Sequence, residues 1–178
     1  MYSFKNTTPT NGFDSNNLNN YRQNNYTWSM DQLDQYIYVG TGRNIPYNII
    51  NGISPEIITP ISITPPAANN SPEIWRYKKD DTLCWEKVYS VPKYLKISGL
   101  RFIVSHKPFN GTNNLYAASY GGKLKIFKSS NGVNWFPLSD MILKGTSSRA
   151  MVSHKGKLYI ATIDEKNPTL IPNLYSSI

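Results

Sequence analysis

The sequence predicts an all-β protein that is built from repeated units of four short strands. The tetrapeptide Val-Ser-His-Lys stands at residues 104–107 and again, 48 residues later, at residues 152–155. An arginine precedes each copy at the same offset, Arg101 in the first and Arg149 in the second. Two further equivalent residues, Trp85 and Trp135, lie 50 residues apart. Self-similarity at a fixed period of this length is typical of a chain made of repeated supersecondary units.

The strands of each unit follow in the same order along the chain. The inner strands contain Trp28, Ile103 and Met151. The second strands contain matching tyrosines, Tyr38, Tyr116 and Tyr159. The third strands begin near Ile74, Ile126 and Leu174, and a fourth strand follows Trp85 and Trp135 in the first two copies. Four short strands in a unit of about 40 to 50 residues are the sequence signature of a β-propeller blade.

We therefore expect a partial β-propeller of about three blades, at residues 26–91, 99–139 and 147–178, of which the third lacks its outer strand. The expected blade-core residues are Trp75, Trp85, Trp135, Tyr38, Tyr116 and Tyr159. An ordinary β-sandwich is the alternative, and the shared tetrapeptide argues against it. If the tryptophans at 85 and 135 are equivalent anchors, changing either to alanine should cost about 3 to 5 kcal/mol.

Three blades are too few for a closed ring, because propellers usually have about four to eight. The flanks of an open arc would be apolar faces, and large exposed apolar faces favour association. The sequence therefore predicts that this chain is part of a longer propeller or that several copies of it complete one ring. Its expected partners are other copies of itself, with a glycan or a surface protein as a further partner.

Three segments outside the strands have their own predicted roles. Residues 1–8 alternate polar and aromatic side chains, among them Tyr2 and Phe4, and we expect a strand that completes a blade of this chain or of a neighbouring copy. Residues 9–25 are rich in asparagine and are interpreted as a linker. Residues 43–72 contain six prolines and are expected to form a long loop, either a partner-binding element or a disordered insertion.

Composition excludes several classes of protein. The 19 lysines and arginines against 11 aspartates and glutamates give a net charge of +8, but the basic residues are dispersed, so we expect no specific nucleic-acid partner. No run of about 20 apolar residues or secretory signal is found, so we expect no membrane insertion and synthesis in the cytoplasm, the final compartment being open. The single cysteine, Cys84, excludes an intrachain disulfide and is expected to be buried beside Trp85.

Two histidines raise the question of a metal. His106 and His154 occupy equivalent repeat positions, without cysteine or carboxylate at ligand spacing. We interpret them as turn residues and expect no metal and no cofactor.

The segment Ser129-Ser130-Asn131-Gly132-Val133-Asn134-Trp135 resembles the Asp-box hairpin of sialidases and related propellers. Asn131 stands where that family usually has aspartate, and the equivalent turn after Tyr77 lacks glycine. More broadly, residues 28–178 look like bacterial β-propeller repeat proteins, with blades that read Arg-Ala-Met-Val, Lys-Leu-Tyr-Ile-Ala-Thr and Leu-Tyr-Ser-Ser. The resemblance implies a fold and no single activity, since propellers serve many functions.

The candidate ligand-binding residues lie at the starts of the inner strands and after the second strand of the first copy. They are Trp28, Arg43, Arg101 and Arg149. For the arginines, hydrogen bonding at strand ends is the alternative role. A sialidase-like glycoside hydrolase would also need a nucleophilic tyrosine, a glutamate and an acidic proton donor, and the acidic residues here are scattered. We therefore expect a non-enzymatic protein that binds and assembles, with a structural subunit of a fibre, coat or particle as the alternative.

Overall fold

The computed structural model describes residues 3–53, 69–80, 84–138, 143–167, 169 and 171–177. Within these residues the chain forms one open antiparallel sheet of eleven strands, together with two short α-helices and a 3-10 turn. The predicted all-β class is confirmed.

The strands form consecutive antiparallel meanders, each strand pairing with the next. Meander 1 contains β1 (Tyr26–Leu33), β2 (Tyr36–Gly42), β3 (Glu73–Lys78) and β4 (Glu86–Ser90). Meander 2 contains β5 (Gly99–His106), β6 (Asn114–Tyr120), β7 (Ile126–Ser129) and β8 (Phe136–Pro137). Meander 3 contains β9 (Ser147–His154), β10 (Lys157–Ile163) and β11 (Asn173–Ser176).

The meanders are joined mainly by their faces and hardly by strand pairing. One residue pair, Gly42 with Gly99, links meander 1 to meander 2, and one pair, Tyr120 with Ser147, links meander 2 to meander 3. The first strands lie side by side, β1 against β5 and β5 against β9. The three first strands therefore form a row, and the other strands of each meander extend away from this row.

Each meander has two flanks, and successive side chains along a strand face one flank and then the other. We identify the trailing flank by its tyrosine, Tyr38, Tyr116 or Tyr159. The leading flank is identified by the residue that directly follows this tyrosine, Val39, Ala117 or Ile160. The trailing flank of meander 1 packs on the leading flank of meander 2 in one apolar cluster. The trailing flank of meander 2 packs on the leading flank of meander 3 in a second cluster. The two larger clusters of the core thus lie between the meanders, and a third, formed by Phe13, Val39 and Trp75, lies on the leading flank of meander 1.

The predicted core residues differ in burial for this reason. Tyr38, Tyr116, Trp75 and Trp135 are buried. Trp85 and Tyr159 are only half-buried. Tyr159 lies on the trailing flank of meander 3, which no part of the described chain covers.

Two helices occur where the sequence indicated a linker and an irregular loop. Helix α1 (Leu18–Gln23) begins at Asn17, whose side chain accepts hydrogen bonds from the backbone of Asn19 and Asn20. Helix α2 (Ile45–Ile53) follows β2, and residues 54–68 of the predicted loop lie outside the described residues. Asparagine side chains cap α1 and hold it in place through hydrogen bonds. A search for apolar periodicity in the sequence does not detect such a helix.

Several smaller predictions differ from the structure. Residues 3–8 form no strand, Phe4 is fully exposed, and Tyr2 lies outside the described residues, so strand exchange between copies stays a prediction. The prediction that Cys84 is buried is wrong, since it is exposed. The histidines end β5 and β9 instead of lying in turns, and His106 is buried.

The turn that resembles an Asp-box is held by the asparagine that replaces the usual aspartate. The Asn131 side-chain oxygen accepts the backbone N–H groups of Val133 and Asn134, each at 2.9 Å. The Trp135 indole donates to the Gly132 carbonyl at 3.0 Å, and Gly132 has φ +72°. An amide oxygen thus serves this turn as an aspartate would.

Candidate functional site

The first strand of each meander carries a β-bulge at the same place. The bulged residue is the third of its strand in every case, Trp28 in β1, Arg101 in β5 and Arg149 in β9. A bulge adds one unpaired residue, and bulges are common where a side chain must be redirected beside a functional site. Three of the four ligand-binding candidates predicted from the sequence therefore share one structural position.

Arg101 lies at the centre of the cluster that these bulges create. Its guanidinium carbon stands 4.8 Å from the ring centre of Trp28 and 4.6 Å from that of Tyr120. The same guanidinium donates to the Ser147 hydroxyl at 2.9 Å and to the Glu165 carboxylate. Two aromatic faces and two hydrogen bonds fix the orientation of this cation.

Arg149 approaches the same carboxylate from the neighbouring strand. Its guanidinium donates to Glu165 Oε1 at 2.7 Å, the oxygen that also accepts from Arg101. The Arg149 side chain is 62% exposed, whereas that of Glu165 is 23% exposed. One carboxylate thus faces two guanidinium groups, so the cluster carries an excess positive charge. The Arg149 guanidinium is the part of it that is open to solvent.

The cluster combines cationic hydrogen-bond donors with aromatic faces. A guanidinium matches a carboxylate or sulfate through paired hydrogen bonds, and the aromatic rings offer apolar faces. Glu165 is engaged by both arginines, and among the described residues no hydrogen bond joins the Tyr120 hydroxyl to it.

Arg43, the fourth candidate, lies elsewhere and is fully buried. It donates to the side-chain oxygens of Asn20 at 2.7 Å and Asn24 at 2.9 Å, and it stands 3.6 Å from Glu73. Burial lowers the pKa of Arg43, while the Glu73 carboxylate acts in the opposite direction. The described structure thus gives Arg43 a place in a buried polar network, and ligand binding by Arg43 stays a prediction.

Glu73 is the acceptor that organises this buried network. Its carboxylate receives hydrogen bonds from the side chains of Asn20 and Asn24 and from the Trp75 indole at 3.0 Å. Lys87 approaches it at 3.2 Å from the solvent side. The network joins the segment around α1 to meander 1.

Sequence reasoning missed Tyr120, Ser147 and Glu165. Glu165 follows β10 by two residues, where the corresponding positions after β2 and β6 are Asn44 and Gly122. Because the residue does not recur, the repeat gave no signal for it.

No protein family, curated protein or solved structure matches this chain. Among the described residues no group of three or more metal-ligating side chains comes together. Neither helix in the described part of the chain is long and apolar enough to cross a membrane.

Proposed function

We propose that this protein is a non-enzymatic β-propeller binding protein that completes a ring or a larger assembly with other copies of itself. The main support is the way the meanders stack, face to face with their first strands adjacent, as blades do. The equivalent bulges at Trp28, Arg101 and Arg149 agree with the repeat that this architecture requires.

The exposed trailing flank of meander 3 supports assembly. Val152 is 56% exposed and Leu174 is 72% exposed. Their equivalents in meander 2, Val104 and Ile126, pack against meander 3 in the second apolar cluster. The equivalent flanks of meanders 1 and 2 are covered by the next meander. A second copy that covered the trailing flank of meander 3 would remove its apolar surface from water in the same way.

The cluster around Arg101 supports recognition of an acidic ligand. A sugar presents apolar C–H faces that pack on aromatic rings, and a uronic acid adds a carboxylate for which Arg149 is accessible. We therefore favour a glycan that carries an acidic group. An acidic side chain of a partner protein offers the same carboxylate chemistry and is the competing ligand.

Assembly is tested by light scattering across a range of protein concentrations. We expect the wild type to associate and Leu174→Lys to weaken association, because the lysine would place a charge in the buried face. Tyr94→Lys is the matched control, since Tyr94 is 78% exposed and lies between meanders 1 and 2, outside that flank. A wild type that stays monomeric at every concentration contradicts the assembly.

Ligand binding is tested by calorimetry with a glucuronic-acid oligosaccharide and its neutral glucose counterpart. We expect the acidic sugar to bind more tightly and Arg149→Gln to weaken it about tenfold, the size of one charge-assisted hydrogen bond. Arg22→Gln, an exposed substitution on α1, serves as the control for net charge. Equal binding of both sugars would overturn this part of the proposal.

A structural subunit of a fibre, coat or particle is the second candidate, and the same exposed flank favours it. It predicts long polymers in light scattering and no specific binding of either sugar. A sialidase-like hydrolase has less support, because Glu165 is held by two arginines and, within the described residues, no hydrogen bond joins it to Tyr120.

A further inference from the structure

The N-terminal segment of residues 3–16, which we call the strap, lies along the leading flank of meander 1. Phe13 is its single buried residue. The Trp85 indole donates to the Thr7 carbonyl at 2.8 Å, which fixes the strap at a second point. The strap therefore occupies the flank on which a preceding meander would pack.

Phe13 takes the place that a residue of the preceding meander takes elsewhere in the chain. Its ring lies 5.9 Å from Trp75 and 4.7 Å from Trp85. Between meanders 1 and 2, Tyr89 lies 5.9 Å from Phe127 and 6.4 Å from Trp135.

The two pairs of aromatic acceptors are equivalent. Trp75 pairs with Val39 as Phe127 pairs with Ala117. The tryptophans at 85 and 135 each stand immediately before an outer strand. Phe13 is thus the local substitute for a neighbour's aromatic side chain.

The strap fills this flank incompletely. Two clefts open to solvent, of about 480 and 330 Å³, lie where the strap meets the flank beside Phe13 and Trp85. Met30, on the same flank, is 65% exposed, whereas its equivalent Ile103 in meander 2 is 3% exposed. A meander covers a leading flank more completely than the strap does.

The exposed trailing flank of meander 3 has the residues that pair with a leading flank. At the interface of meanders 2 and 3 a ring nitrogen of His106 lies 2.8 Å from the Ser153 hydroxyl. The equivalent of His106 on the open flank is His154, and the equivalent of Ser153 on meander 1 is Gln32. Both residues are exposed.

We propose that the trailing flank of meander 3 in a second copy docks on the leading flank of meander 1, in competition with the strap. This inference rests on the proposed assembly and specifies its two surfaces. On release the strap loses the contacts of Phe13 with Trp75 and Trp85 and the hydrogen bond at Thr7, and a docking meander replaces them with a complete apolar face. The strap thereby sets the concentration at which copies associate.

The first test compares Phe13→Ala with the wild type by sedimentation. We expect Phe13→Ala to lower the dissociation constant of self-association by about tenfold or more, because the weakened strap competes less for the leading flank of meander 1. Tyr94→Ala is the matched control, because Tyr94 is 78% exposed and lies away from the strap. An unchanged constant in Phe13→Ala overturns the competition while the assembly stands. A wild type and variant that are both monomeric overturn the assembly and the inference together.

The second test establishes which flanks meet and does not depend on the stability of the Phe13 variant. In a Cys84→Ser background, one chain carries Gln32→Cys and another carries His154→Cys. We expect a mixed disulfide between these two chains, formed faster when the first also carries Phe13→Ala. A disulfide between two His154→Cys chains, without the mixed product, would mean that two trailing flanks meet, and would overturn the inference.

Discussion

The hydroxyl oxygen of Tyr38 lies so close to Gly132 that a Cβ atom added to this glycine would stand 2.0 Å from it. Tyr38 belongs to the trailing flank of meander 1, and Gly132 belongs to the turn between β7 and β8 of meander 2. The turn that resembles an Asp-box therefore also serves as a contact between meanders, and the glycine is required both by φ +72° and by the neighbouring ring.

The change Gly132→Ala should destabilise the fold by about 2 to 4 kcal/mol, since a left-handed backbone cost and an overpacking cost combine. Chemical denaturation of both proteins measures this difference. Gly121→Ala is the control, because Gly121 has φ +87° but its added Cβ would meet no atom closer than 3.3 Å. Equal losses at the two positions would show that the contact with Tyr38 contributes nothing.

The repeat in the sequence was sufficient to predict the strand order. Residues at equivalent positions face equivalent flanks, so the matching tyrosines and tryptophans indicated which strands belong together. Helix α1 was not predictable in this way, because Asn20, within the helix, and Asn24, just after it, hold it through hydrogen bonds to the distant Glu73. Such partners are brought together by the fold and leave no local pattern.

The same distinction applies to the candidate site. Trp28, Arg101 and Arg149 were predictable because they recur at one repeat position, and the structure places a bulge at each. Glu165 was not, since it lies in a loop that differs between units. The burial of Arg43 was not predictable, because it depends on Asn20 and Asn24, which belong to the segment interpreted as a linker.

The change Trp135→Ala should cost about 3 to 5 kcal/mol, as expected for a large aromatic side chain that is 4% exposed. Trp85→Ala should cost less, because Trp85 is half-buried and covered by the strap instead of a meander. Thermal and chemical denaturation of both variants gives the comparison. A neutral Trp135→Ala would contradict the repeat alignment itself.

Glu73→Gln should destabilise the protein by about 3 to 5 kcal/mol, because it leaves the buried Arg43 without its carboxylate. The matched control is Glu86→Gln, which breaks the Arg76–Glu86 pair at 2.8 Å, where the glutamate side chain is 53% exposed. An exposed pair contributes about 0 to 1 kcal/mol. If both variants lost the same small amount in urea denaturation, the buried network would not be what joins α1 to meander 1.

The stability of the protein should fall as the pH is lowered through the range in which His106 titrates. Burial lowers the pKa of His106 below its ordinary value of 6.5, and the Lys128 ammonium group adds to this shift. The unfolded chain therefore takes up a proton at a higher pH than the folded chain does. The contribution of neutral His106 is complete above about pH 6.5 and is lost as the pH falls towards the folded pKa.

His106→Gln should reduce this loss, so that the melting temperature differs less between pH 7.5 and pH 5 than in the wild type. His154→Gln is the matched control, since His154 ends β9 as His106 ends β5 but is exposed. The comparison uses the pH dependence of each variant, because removing the contact of His106 with Ser153 lowers stability at every pH. Parallel curves for the wild type and His106→Gln would assign the acid sensitivity to other groups.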